Sequence, residues 1–218
     1  MLNIYCVKYG TRYPSIFVNR LYNMVKRYTS QQFNFYCFTE DASDIDGDIQ
    51  ILPLLNLNVE KWWNKMVLFN ETLVKGKGIF FDLDVVLQED ISVFDTPDRY
   101  MKFLPTPWID LVRLKNDTIG NRQRFCSINS SVLCWDEHTI RQPIYDYFIK
   151  HKDKITSVFT GIDSYIEHRF PTQYCLYEPE LASSYWNEGY TNTPIILFDG
   201  KSEKQDLVDD NRIKELWI

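Results

Sequence analysis

Apolar and polar positions along the chain fall into an ordered series of elements. Asn3 to Lys8 is an apolar run of strand length and predicts a buried first strand. A loop with Gly10 follows, and Pro14 suits a first helical turn. Phe17, Leu21, Met24, Val25 and Tyr28 then recur at helical spacing, which predicts a helix to about Tyr28. Phe33 to Thr39 predicts a second strand, rich in aromatics. Strand, helix and strand in this order imply parallel neighbours and a three-layer α/β fold. Gln50 to Pro53 predicts a short strand after an acidic, turn-like stretch. Trp62 to Val74 predicts a helix, closed by Gly76-Lys77-Gly78.

The run Gly78 to Leu87 interrupts this order with chemistry. It carries Asp82 and Asp84, one residue apart, in an otherwise apolar setting. Carboxylates are costly to bury without a partner. Two close carboxylates ask for a cation, and hard divalent metals take oxygen ligands. A strand ending at Asp82, with the chain turning there, predicts that both acids reach one open edge. The other reading is a solvated turn that happens to hold two Asp.

The second half is less regular. Thr106 to Gln123 carries charge, prolines and a glycine, and predicts a long loop or a pair of short elements. Ser131 to Trp135 predicts a strand behind Asn129-Ser130. Thr139 to Lys150 and Ile162 to His168 predict helices, and Ile195 to Phe198 a last short strand. Gln205 to Ile218 has weak helical spacing. No repeat or linker divides the chain, so a single domain over residues 1–218 is expected.

Composition narrows the function classes. The 218 residues are 44% hydrophobic and 16% aromatic, which excludes disorder. A net charge of -6 argues against a general nucleic-acid binder. No apolar run reaches roughly 18 residues, so no transmembrane segment is expected. The first residues are too short an apolar stretch, and too polar afterwards, for a signal peptide. The five cysteines are scattered without a Cys-x-x-Cys pair, which suits reduced thiols and predicts a cytoplasmic location rather than a zinc site.

Further candidates lie near strand ends, where open α/β sheets bind ligands. Tyr9 and Tyr13 follow the first strand; they either stack on a base or simply furnish a loop. Trp62-Trp63 opens the helix as packing groups or ligand contacts, and Lys65 beside them is placed to meet a diphosphate as a point charge. Asn129 and Ser130 either bond sugar hydroxyls or cap a turn. Asp163 is either a helix N-cap or a carboxylate that contacts sugar or acts as base. Asp199-Gly200-Lys201 either closes the metal site or makes a strand-end turn.

In their order, these pieces resemble the type A (GT-A) glycosyltransferases of the nucleotide-diphospho-sugar transferase superfamily, among them the glycogenin-like and small bacterial or viral relatives. The resemblance runs from about Asn3 to Lys204, and its most specific part is the Asp82-Leu83-Asp84 strand. It implies a three-layer α/β/α fold with a mainly parallel, Rossmann-like sheet. Residues 1–105 would form the nucleotide-binding half, and 106–218 the acceptor-side half and C-terminal tail. It implies a metal-dependent transfer of a sugar from a nucleotide sugar, a UDP-sugar first, to a hydroxyl of a glycan or glycoconjugate. Asp84 would coordinate Mn²⁺ or Mg²⁺, and Asp82 would contact the ribose and help hold the metal. Lys65 would face the diphosphate, with Lys201 or Lys204 adding positive charge. Tyr9 or Tyr13 would lie near the base. Asn129, Ser130 and Asp163 would face the transferred sugar or acceptor, and Asp163 or Asp110 would serve as base in an inverting reaction. Two departures stand out. Relatives often carry a His ligand on the last strand, where this chain offers only Asp199. They often read Gly-Asp-Gln where it has Gly161-Ile162-Asp163.

Two rivals share parts of the pattern. Asp82 to Leu87 also resembles the nucleophile motif of haloacid-dehalogenase-type phosphatases, but that motif normally sits on a first strand. A transferase fold without activity, kept as a sugar-nucleotide-binding module, is the other.

Overall fold

A computed structural model describes residues 1–109, 126–199 and 204–218, with the backbone alone at 118–119 and 122–123. Strand β1 (Leu2–Val7) leads through helix α1 (Ser15–Arg27) to β2 (Phe33–Thr39). One face of α1, with Phe17, Val18, Leu21 and Val25, is buried, as the helical spacing requires. Lys26 and Arg27 lie in its last turn, where cations favour the helix dipole. Strand β3 (Gln50–Pro53) closes one edge of the sheet and is largely exposed.

Strand β4 (Gly78–Phe81) is buried throughout and β5 (Val85–Leu87) follows almost at once. Then come β6 (Lys102–Pro105), short β7 (Thr118–Ile119) and β8 (Arg122–Gln123), and β9 (Ile128–Trp135). Helices α2 (Gln142–Val158) and α3 (Ile162–Arg169) precede β10 (Cys175–Leu176) and β11 (Ala182–Ser184). The short helix α4 (Tyr185–Glu188), β12 (Ile195–Leu197) and helix α5 (Asn211–Leu216) complete the chain.

The central sheet has seven strands in the order β10-β6-β9-β4-β1-β2-β3. β1 pairs in parallel with β2 and β4, and only β9 runs against its neighbours β4 and β6. The predicted three-layer, mainly parallel α/β fold is therefore the observed one. Strand alternation divides the core between two faces. Ile4, Cys6, Ile79, Phe81, Val132 and Cys134 pack toward α1, α5 and a second sheet. Tyr5, Phe80, Leu133 and Trp135 pack toward α2, α3 and the segment Lys61–Phe69.

That second sheet, in the order β11-β12-β5, decides where the acids go. β4 belongs to the large sheet and β5 to the small one, so the chain changes sheets across Asp82-Leu83-Asp84. The corner is pinned from both sides. Asp82 donates its backbone N–H to the Ser131 carbonyl at 2.9 Å, and Phe198 donates to the Asp84 carbonyl at 2.9 Å. Leu83 is buried between them.

Several expected elements are redrawn. The predicted helix Trp62–Val74 is a 3₁₀ helix over Lys61–Phe69. Asn70 ends it, because its side-chain oxygen accepts the N–H groups of Thr72 and Leu73 and so competes with the helix ladder. Asn129 and Ser130 stand inside β9 rather than ahead of it, since β9 is buried over its whole length and its backbone pairs from Ile128 onward. The helix expected over Thr139–Lys150 starts at Gln142 and continues to Val158.

Candidate active site

The corner opens into a cleft of about 610 Å³, within the usual range of ligand sites. Asp82, Asp84, Lys65, Tyr9 and Tyr13 line it from the β1, β4 and 3₁₀ side. Asn129, Ser130, Asp163, Asp199 and Lys204 line it from the second half of the chain. Asp110 and Lys201 lie outside the described residues.

Each acid of the pair already faces a cation. The buried Lys65 donates its Nζ to Asp82 Oδ2 at 2.6 Å and to Ser130 Oγ at 3.2 Å. Lys204 donates to Asp84 Oδ2 at 2.6 Å and to the Phe198 carbonyl at 2.8 Å. Tyr13 donates its hydroxyl to the same Asp84 oxygen at 2.9 Å. The next residue, Gln205, donates to the Leu83 carbonyl at 2.9 Å and so locks Lys204 to the corner.

Burial and charge shift the titrating groups. Burial raises Asp82, with the Asp84 charge adding and the Lys65 ammonium opposing. Burial pulls the Lys65 ammonium down, but Asp82 and Asp163 outweigh it and hold the group above the ordinary lysine value. Burial and then the Asp84 charge push Tyr13 up. Asp163 is pushed up to about 6 by burial, with Lys65 pulling the other way. Its Oδ1 is buried and has no hydrogen-bond partner among the described residues. Asp163 lies in the first turn of α3, and Gly161 rather than Asp163 is the N-cap.

The donor set bears on a metal. Asp82 and Asp84 offer hard carboxylate oxygens of the kind Mg²⁺ and Mn²⁺ take. Asp199 is raised by burial and by Asp84, but Ser184 Oγ donates to its Oδ1 at 2.8 Å. Among the described residues no group of three His, Cys, Asp or Glu side chains stands ready to hold an ion. The residues fit a divalent ion as a two-carboxylate anchor completed by ligand phosphate and water, which is the common mode for Mg²⁺.

The structure separates the two adjacent indoles. Trp63 is core, stacked on Phe148 with ring centroids 5.4 Å apart. Trp62 lines the cleft and donates its indole N–H to the Thr160 carbonyl at 2.6 Å. Gly161 makes this possible, since a Cβ there would stand 2.7 Å from the Trp62 nitrogen. Sequence reasoning missed Ser184, which positions Asp199, because nothing in Ala182-Ser183-Ser184 marks a strand end. Ser131, grouped by sequence with Asn129 and Ser130 as a candidate for sugar hydroxyls, holds Asp82 through its backbone carbonyl.

No protein-family model and no curated protein sequence matches the chain. Solved structures do. The galactosyltransferase LgtC, in complex with donor and acceptor sugar analogues, is similar at a TM-score of 0.68 and 14% identity, over 98% of this chain and 94% of LgtC. An active-site variant of LgtC gives 0.70 and 12% over the same shares. The glycosyltransferase GlyE of Streptococcus pneumoniae gives 0.68 and 12%, over 100% of this chain and 60% of GlyE. The chain thus shares the fold of these glycosyltransferase structures.

Proposed function

We propose that this chain is a glycosyltransferase that moves a sugar from a nucleoside diphosphate sugar, a UDP-sugar first, to a hydroxyl of a glycan or glycoconjugate. The observation that carries the reading is the sheet-changing corner itself. It sets Asp82 and Asp84 at the floor of the cleft, with an ammonium 2.6 Å from each, in a fold shared with LgtC.

Departure of a nucleoside diphosphate builds negative charge at the leaving oxygen. Lys65 and Lys204, held beside Asp82 and Asp84, would act as fixed positive charges there, and preorganised charge stabilises a transition state without reorganisation. Mn²⁺ or Mg²⁺ held by Asp82 and Asp84 would supply Lewis-acid neutralisation of the same charge. Asn129 and Ser130 line the same cleft, which supports a role in bonding hydroxyls of the bound sugar. Asp163 lines the cleft, and its carboxylate is suited to accept the proton of an attacking hydroxyl once ionised. The buried thiols of Cys6, Cys37 and Cys134 suit a reducing, cytoplasmic setting.

Calorimetric titration with UDP-sugars in MnCl₂ tests the reading. The wild type should bind, and Asp84→Ala should lose about tenfold or more of the metal-dependent affinity. Equal binding by the variant, or no metal-dependent binding of any nucleotide sugar, refutes it.

A further inference from the structure

Asp84 is gripped from two remote parts of the chain. Its Oδ2 accepts Lys204 Nζ at 2.6 Å and the Tyr13 hydroxyl at 2.9 Å. A carboxylate oxygen has about two lone-pair sites, so these two donors fill that oxygen. The Lys204 and Asp84 side chains are only 8% and 14% exposed, so water weakens their attraction little.

The grip is braced. Lys204 Nζ also donates to the Phe198 carbonyl at 2.8 Å and lies 5.9 Å from the Tyr13 ring centroid. Gln205 donates to the Leu83 carbonyl at 2.9 Å, between the two acids. An ammonium has three donors, and among the described residues Lys204 uses two of them, on Asp84 and Phe198. The third is left for a ligand oxygen. A divalent ion taking Asp84 must either win Oδ2 or stand beside that ammonium, and like charges so close repel.

We infer that Lys204 and Tyr13 form a latch on Asp84, which keeps a divalent ion off the carboxylate pair until a nucleoside diphosphate draws Lys204 from Oδ2. This rests on the transferase reading above and adds an order of binding to it. The diphosphate offers Lys204 the negative charge that it gives up at Asp84, while the Phe198 carbonyl keeps the ammonium in the cleft. Metal and nucleotide therefore bind cooperatively, and the coupling is equal in both directions.

Mn²⁺ binding is measured by water-proton relaxation, alone and with UDP, GDP or ADP, and corrected for the Mn²⁺–nucleotide complex in buffer. The wild type should bind Mn²⁺ about tenfold or more tighter when one of the three nucleotides is present. Lys204→Met should bind Mn²⁺ alone about tenfold more tightly than the wild type, with weaker coupling to the nucleotide. Tyr13→Phe removes a hydrogen bond but no charge, so a gain of about twofold to tenfold in Mn²⁺ affinity there marks a contested oxygen rather than charge repulsion alone. Urea unfolding checks that each variant folds, and if Lys204→Met does not, Tyr13→Phe decides. If the wild type binds Mn²⁺ as tightly alone as with nucleotide, or either folded variant shows no gain, the latch is overturned and the transferase reading stands. If the wild type binds Mn²⁺ with none of the three nucleotides, both fall.

Discussion

Asp163 carries the clearest consequence of burial at a single residue. Its folded-state pKa of about 6 stands above the ordinary value of 3.8. The folded chain therefore holds this proton more tightly than the unfolded chain. Below both values the group costs nothing. As pH rises through the unfolded value toward 6, stability is lost, and above 6 the loss is constant. The shift corresponds to at most about 3 kcal/mol. Asp163→Asn should thus be more stable than the wild type by about 1–3 kcal/mol at pH 7.5, with the two converging near pH 4. Urea melts at several pH values check this, and a gap that does not change with pH would contradict it. Activity of that variant should fall if the carboxylate accepts the acceptor's proton. At this scale the charged residues were largely legible. An acid or a lysine inside an apolar run is costly, so Asp82, Asp84 and Lys65 announce themselves. Ser131 and Ser184 do not, because small polar residues are common in turns and carry no such signal.

Whole elements follow the same logic with more slippage. Apolar and aromatic runs of strand length made β1 and β2 readable to within a residue or two. The segment Lys61–Phe69 defeated it, because a stretch buried from Trp63 to Phe69 has no exposed face to set a period. β9 was read short since Asn129 and Ser130 look like loop residues, yet they are buried between β4 and β6. Gly78 shows what such packing demands. A Cβ there would meet the Trp135 ring at 2.7 Å and the Tyr5 ring at 2.8 Å. Both rings are buried in the core, so neither yields freely. Gly78→Ala should cost about 1–3 kcal/mol, read as a lower urea midpoint with an unchanged slope. Since β4 delivers Asp82, nucleotide affinity should drop with it.

Across the whole molecule, the tail closes the site. Lys204 meets Asp84 from 120 positions away, and Gln205 fastens it to Leu83. Farther on, Trp217 packs edge-on against Phe17 of α1 at 4.8 Å, with the Arg20 guanidinium 4.1 Å from its ring centroid. Trp217→Ala should lower stability by about 3–5 kcal/mol in thermal or urea unfolding. Trp217→Phe should keep most of it, because the indole N–H has no hydrogen-bond partner among the described residues. Equal losses in both variants would show that the nitrogen, not the ring, carries the packing. By itself the sequence determined the layered α/β class, the strand that carries Asp82 and the charged residues around it, because periodicity and the cost of burying charge are local properties. Only the tertiary structure decided that β5 leaves the sheet of β4 and that Lys204 reaches Asp84. Those outcomes depend on pairing with β12 and on a tail remote in sequence, and no local pattern encodes such long-range partners.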